Sequence, residues 1–182
     1  LGCIGVGLLP SGSEDPYGLR RHSLGIIQII ISQNWQVSLD VLIQKGVNLL
    51  KDKTKLTSDE IHMHTQVLFS QRYKTILIGE EYPYDAIDAV LSANIDSLVD
   101  VRQKVVALSD LKKQPYFEPL AITFRRVVSI LNEESDGNIQ TSLLSEPAEK
   151  KLYDEYRRVK EPVENHLSKK QFPQALEKIV EI

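Results

Sequence analysis

The residues suited to chemistry are few, and their spacing does not bring them together. His62 and His64 invite comparison with a metal pair, but two positions apart on a helix they point to nearly opposite faces and cannot converge on one ion. Gly2, Gly5 and Gly7 with Ser11-Gly12-Ser13 suggest a phosphate-cradling loop only loosely. Their order is not G-x-G-x-x-G, no lysine follows, and Glu14 and Asp15 occupy the helix entrance where an anion would dock. Cys3 is the sole cysteine and has no histidine near it in sequence, and no serine sits in a G-x-S-x-G elbow. Glu80-Glu81 and Glu133-Glu134 adjoin turns and read as solvated surface. The expectation is a chain with no catalytic residue, no metal site and no cofactor of its own.

Basic doublets carry more information. Arg20-Arg21, Lys112-Lys113, Arg125-Arg126, Arg157-Arg158 and Lys169-Lys170 recur along the chain, and Arg126 projects away from the apolar positions Phe124, Val127 and Val128. Guanidinium forks match phosphate oxygens, so such pairs could line an RNA groove. The plainer alternative is ordinary solvated helix surface, ion-paired to neighbouring acids. Arg72 differs, because it falls between Leu68 and Ile76 on an apolar face where an unpaired charge is costly. It should be clamped by a carboxylate, with Asp85 or Asp88 as the partner.

The elements that must hold these side chains are predicted to be helices. With 182 residues and 42% hydrophobic content the chain can bury a core as one large or two small domains. A formal net charge of −3 supplies no global basic field, so any nucleic-acid contact would come from local patches. A single cysteine and four histidines exclude a disulfide framework and any standard zinc cluster, which makes a reducing cytoplasm the default location. Leu1-Gly2-Cys3 lacks the preceding segment that lipidation needs, and the apolar run Gly25–Ile31 is far short of the ~20 residues of a membrane span. The start at Leu1 without methionine, and an end at Ile182 inside an amphipathic pattern, suggest a piece of a longer chain.

Asp15-Pro16 predicts a helix start, followed by a broad stripe of Leu24, Ile26, Ile27, Ile30 and Ile31. The β-branched run there would suit a strand, but nothing downstream could pair with it. Ser38 should cap a second helix and Ser58 a third, the latter with Ile61, Thr65, Leu68, Phe69, Arg72 and Ile76 on one face. Gly79 and Pro83 then mark a domain boundary, giving regions 1–81 and 82–182. A short helix with Ile87, Val90 and Leu91 and another over 99–112 follow. The next, opening near Pro115, has the cleanest amphipathic pattern, from Phe117 through Phe124 and Val128 to Leu131. Residues 133–141 read as a loop, Pro162 should kink or break the helix that contains Tyr156 and Val159, and a last helix opens at Phe172-Pro173. The fold class is all-α, a multi-helix bundle of two helical subdomains.

Specific strings then matter more than periodicity. Pro10-Ser11-Gly12-Ser13-Glu14-Asp15-Pro16-Tyr17-Gly18-Leu19-Arg20-Arg21 resembles the P-[TS]-G-S-x-D-P-[FY]-x-L-R-R segment of the bacterial glycyl-tRNA synthetase beta subunit. In the same order come Phe69 with Arg72-Tyr73, Asp85-Ala86-Ile87-Asp88-Ala89-Val90-Leu91, Thr123-Phe124-Arg125-Arg126-Val127, and Leu143-Leu144 with Glu146-Pro147-Ala148-Glu149. The departures are Ser11 for the usual threonine and Glu14 and Arg125 for frequent lysines. The Glu14 change removes a positive charge from the loop.

This resemblance implies an accessory subunit that binds tRNA(Gly), while a separate alpha subunit, in a heterotetramer, activates glycine with ATP and Mg. It implies that region 1–81 follows or completes an HD-like domain, although no His-Asp ligand pair of that type occurs here. It also implies that region 82–182 is similar to the anticodon-binding domain of arginyl-tRNA synthetase, truncated at its end. The RNA contacts would then be Arg125, Arg126, Lys112, Lys113, Arg157, Arg158, Arg20 and Arg21. The competing reading is a helical protein-interaction scaffold that does not touch RNA.

Overall fold

Helix starts follow the capping chemistry of the chain, with displacements that are themselves instructive. The computed structural model describes residues 1–12, 14–130 and 139–181, and among these no strand forms. The one extended pairing among them is an isolated bridge between Ser11 and Glu14. After a single turn, α1 (Gly2–Gly5), the β-branched run lies in α2 (Leu19–Ser32), which buries Ile27 and Ile30. This helix begins at Leu19 and not at Asp15-Pro16. Gly18, at φ 65°, is its N-cap, and the Asp15 carboxylate reaches past the turn to accept from the backbone N–H of Leu19 (2.7 Å) and Arg20 (3.0 Å). Asp15 is therefore a capping acceptor, as expected, but from outside the helix.

Ser38 caps α3 (Leu39–Leu50) by accepting from the N–H of Val41. A distant residue completes that cap. Asp96 Oδ1 accepts from the Ser38 hydroxyl (2.7 Å) and the Asp40 N–H (2.9 Å), and its carbonyl accepts from Leu39 N–H (2.8 Å). The third long helix, α4 (Ser58–Gly79), is capped by Thr57, one residue before the expected Ser58, because Thr57 closes a reciprocal capping box with Glu60. Those hydrogen bonds, the one from the Thr57 backbone first, hold the Glu60 carboxyl below its ordinary value.

The buried face of α4 is Ile61, Thr65, Leu68, Phe69, Tyr73 and Leu77. Tyr73 and Leu77 thus stand in the core where the sequence pattern placed Arg72 and Ile76, which flank it. α2, α3 and α5 (Tyr84–Ala93) all pack on α4, and the first half of α6 (Leu98–Lys112) contributes the buried Leu98, Val101 and Val105. The Tyr73 hydroxyl donates to the Leu98 carbonyl (2.7 Å), and burial raises its pKa well above the usual phenol value.

Compactness divides the chain between Val106 and Ala107, inside α6. α5 docks on α4, so the turn at Gly79–Pro83 joins two packed helices.

The second unit, Ala107–Ile182, contains α7 (Phe117–Ile130), α8 (Pro147–Ser168) and α9 (Phe172–Val180). α8 continues through Pro162, so of the expected kink or break the break does not occur. α8 and α9 form a hairpin around Val159, Phe172 and Ala175. The cleanest amphipathic helix is the least buried: α7 has no buried residue, with Phe124 48%, Val127 50% and Val128 64% exposed. Leu131, the pair Glu133-Glu134 and most of the expected loop lie outside the described residues.

Candidate nucleic-acid interface

The cationic side chains singled out by the sequence fall into two groups. Several are used within the fold. Arg20 donates to the Gly12 carbonyl (2.8 Å) and the Glu14 carbonyl (3.3 Å), so it ties down the loop that leads into α2. Arg21, its neighbour, is exposed, with its guanidinium close to Gly18. Lys113 pairs with Asp110 one turn earlier (2.7 Å), and Lys112 at the end of α6 is half-buried and engaged. Arg158 bridges Glu155 (2.7 Å) and Glu181 (3.1 Å), which braces α8 against the end of α9 and holds the guanidinium still more firmly protonated.

A second group is displayed. Arg125 and Arg126 lie on exposed α7, and among the described residues no acid pairs with either. Arg157 has no ion pair among the described residues, but its guanidinium sits 5.9 Å from the centroid of the Tyr153 ring. The doublet Arg157-Arg158 is thus split by helix geometry: 100° apart on α8, one side chain faces α9 and the other does not. Reading doublets alone passes over Tyr153 and Lys160, whose spacing from Tyr156 and Arg157 was the signal available in the sequence.

Arg72 does not meet Asp88. Asp88 is bonded by Lys74, which also donates to the Tyr84 hydroxyl (2.8 Å) and has its pKa raised, chiefly by the Asp88 hydrogen bond. Residues 72 and 74 point to opposite sides of α4, so the α5 acid that reaches one cannot reach the other. Asp85 Oδ1 accepts from the N–H of Ala86 (2.9 Å), and Arg72 Nε is buried with no hydrogen-bond partner among the described residues.

His62 Nε2 lies 3.0 Å from Asp40 Oδ1, which also accepts from the Gln66 amide (2.7 Å). Among the described residues no group of three or more His, Cys, Asp or Glu side chains could hold a metal, and no helix is long and apolar enough to cross a membrane. The pocket under α1–α4, about 240 Å³, is lined mostly by apolar side chains such as Ile4, Leu19, Ile26 and Phe69. It offers no convergent set of acid and base. What this arrangement can do is present guanidinium and ammonium groups beside aromatic rings.

Comparisons with known proteins converge on one family. The family model described as glycyl-tRNA synthetase beta subunit matches residues 1–92. The glycine–tRNA ligase beta subunit of Syntrophus aciditrophicus (strain SB) is 37% identical over 175 residues, covering 96% of this chain and 25% of that protein. That of Geobacter sulfurreducens is 39% identical over 163 residues, 90% of this chain and 24% of the relative. That of Geotalea daltonii is 33% identical over 181 residues, covering 100% and 26%. The chain thus spans about a quarter of the length of the curated relatives it matches. With the loop motif around Asp15, the Arg72-Tyr73 pair and the α7 arginines all set in an all-helical frame, the chain belongs to the glycyl-tRNA synthetase beta subunit family.

Proposed function

We propose that this chain is part of a glycine–tRNA ligase and helps to hold tRNA(Gly) while the alpha subunit joins glycine to it. The observation that carries this reading is the exposed pair Arg125-Arg126 on α7, unmatched by acids among the described residues, in a family whose relatives are named glycine–tRNA ligase beta subunits. Phosphate contacts from these guanidinium groups would set the register of the RNA, and an unstacked anticodon loop would be read by stacking and hydrogen bonds. Region 82–182 would serve as the anticodon-binding part, similar to that of arginyl-tRNA synthetase, and region 1–81 as the close of an HD-like domain. ATP and Mg would belong to the alpha subunit, in a cytoplasmic heterotetramer. Lys112, Lys113, Arg20, Arg21 and Arg158 would act secondarily, since most of them already brace the fold.

The test is filter binding of tRNA(Gly) to the intact beta subunit carrying Arg125→Ala and Arg126→Ala. The expected result is weaker binding and a log K against log salt slope smaller by about two phosphate contacts. Unchanged affinity and slope would remove both arginines from the interface.

A second reading is favoured by the apolar half of α7. Phe124, Val127 and Val128 are half-exposed and adjoin a cavity of about 210 Å³ lined by side chains of α6, α7 and α9. Such a surface suits a helical scaffold that binds protein and not RNA. Salt separates the two, because apolar docking barely weakens as salt is added.

A further inference from the structure

We infer that α8 carries a stacking strip for single-stranded RNA, formed by Tyr153, Tyr156, Arg157 and Lys160; this inference rests on the tRNA-binding reading. The four residues follow one another at steps of three, one and three, which places them on one side of a helix. The two rings lie 6.4 Å apart between centroids and are tilted by 33°. Arg157 stands 5.9 Å from the Tyr153 centroid and Lys160 stands 5.8 Å from that of Tyr156. Two neighbouring rings are therefore each flanked by a cation four residues further along.

That surface lies beside the contact with α9, which centres on buried Val159. Arg158 bridges Glu155 and Glu181, and His166 meets Gln171 (2.8 Å), so this polar row runs along another side of α8. At 3.6 residues per turn, the mean direction of the four strip residues is roughly a quarter-turn or more from Val159 and further still from that polar row. Tyr156 is 36% exposed, and neither phenol hydroxyl is hydrogen-bonded among the described residues. The acid nearest Lys160 is Glu164, at 4.0 Å, which leaves most of the ammonium's hydrogen-bonding capacity open.

Tyrosine faces flanked by cations are suited to a nucleic-acid strand. A base stacks on a ring whatever its identity, the neighbouring cation polarises the stack, and the same cation reaches the next phosphate. A protein partner would more naturally be met by the apolar side chains of α7, where no aromatic–cation pair is formed among the described residues.

The experiment uses intact beta subunit assembled with alpha. Two probes are needed: tRNA(Gly), and a short single-stranded RNA oligonucleotide bearing 2-aminopurine. Tyr156→Ala should weaken binding of both by roughly five- to a hundred-fold with an unchanged salt slope. It should also abolish the quenching of 2-aminopurine, while Tyr156→Phe retains both properties. Arg157→Gln should lower the slope by about one contact. Wild-type affinity and quenching in Tyr156→Ala would overturn the strip while leaving the tRNA reading intact, provided the Arg125/Arg126 variant still binds weakly. Loss of alpha-subunit assembly with unchanged RNA affinity would overturn it in favour of protein docking. If the wild-type protein shows no salt-dependent RNA binding, the tRNA reading fails, and the strip with it.

Discussion

Gly5 and Gly46 show how differently two glycines can be constrained. A Cβ on Gly5 would lie 2.5 Å from Thr54 Cγ2 and 3.3 Å from Ile61 Cδ1, where α1 presses on α4, and the Gly5 carbonyl accepts from the N–H groups of Lys55 and Leu56. Gly5→Ala is therefore expected to lower stability by about 1–3 kcal/mol in urea unfolding, with partial recovery when Thr54→Ser removes the clashing methyl. On Gly46 a Cβ would meet only the flexible end of Leu1, at 2.2 Å. Gly46→Ala should be neutral or stabilising by up to ~1 kcal/mol, because it removes a glycine from the interior of α3. Sequence alone marks a glycine inside a helical pattern, such as Gly46, as a weak point. It could not read Gly5 as a packing contact, since the clash comes from a residue folded over it. Asp88 teaches the same lesson: it is bonded by Lys74, a residue that the apolar pattern of α4 did not single out.

Capping decides the elements. Thr57→Ala should cost about 1 kcal/mol in thermal or urea unfolding by opening the α4 capping box. Glu60, the other half of that box, has a depressed carboxyl pKa in the folded protein. Its contribution is therefore present above the pKa of the unfolded chain and is lost as the pH falls through the lower folded value. Stability followed down an acid titration should accordingly decline less steeply in Glu60→Gln. At the other end of the pH scale, burial raises the folded pKa of Tyr73, so its contribution is complete below the ordinary phenol pKa and lost as alkali titrates it. Tyr73→Phe should flatten the alkaline side of the stability profile. Most helix spans were legible, because apolar periodicity and local caps are short-range signals. Where expectation and structure part, the cause is a non-local or stereochemical detail: Gly18 delays α2 by a turn, and α8 tolerates Pro162.

At the scale of the whole molecule, the sequence showed that α7 is amphipathic but not that its apolar side would stay half-exposed, because periodicity records a preference for burial without identifying the covering surface. Family membership was legible in the ordered motifs, and the arginine doublets were legible as candidates. Which doublets are engaged within the fold was not, since Arg158 is bound partly by Glu181, 23 positions away. Asp96 closes a wider gap, accepting from groups 56 and 58 positions earlier in the chain. Until α4 and α5 have formed and turned back, the first turn of α3 has only its own serine to satisfy it. The grip of Asp96 is thus a contact completed late on the folding route. In stopped-flow kinetics Asp96→Ala should leave the refolding arm of the chevron nearly unchanged and lift the unfolding arm, so that the native state becomes shorter-lived although it assembles as fast.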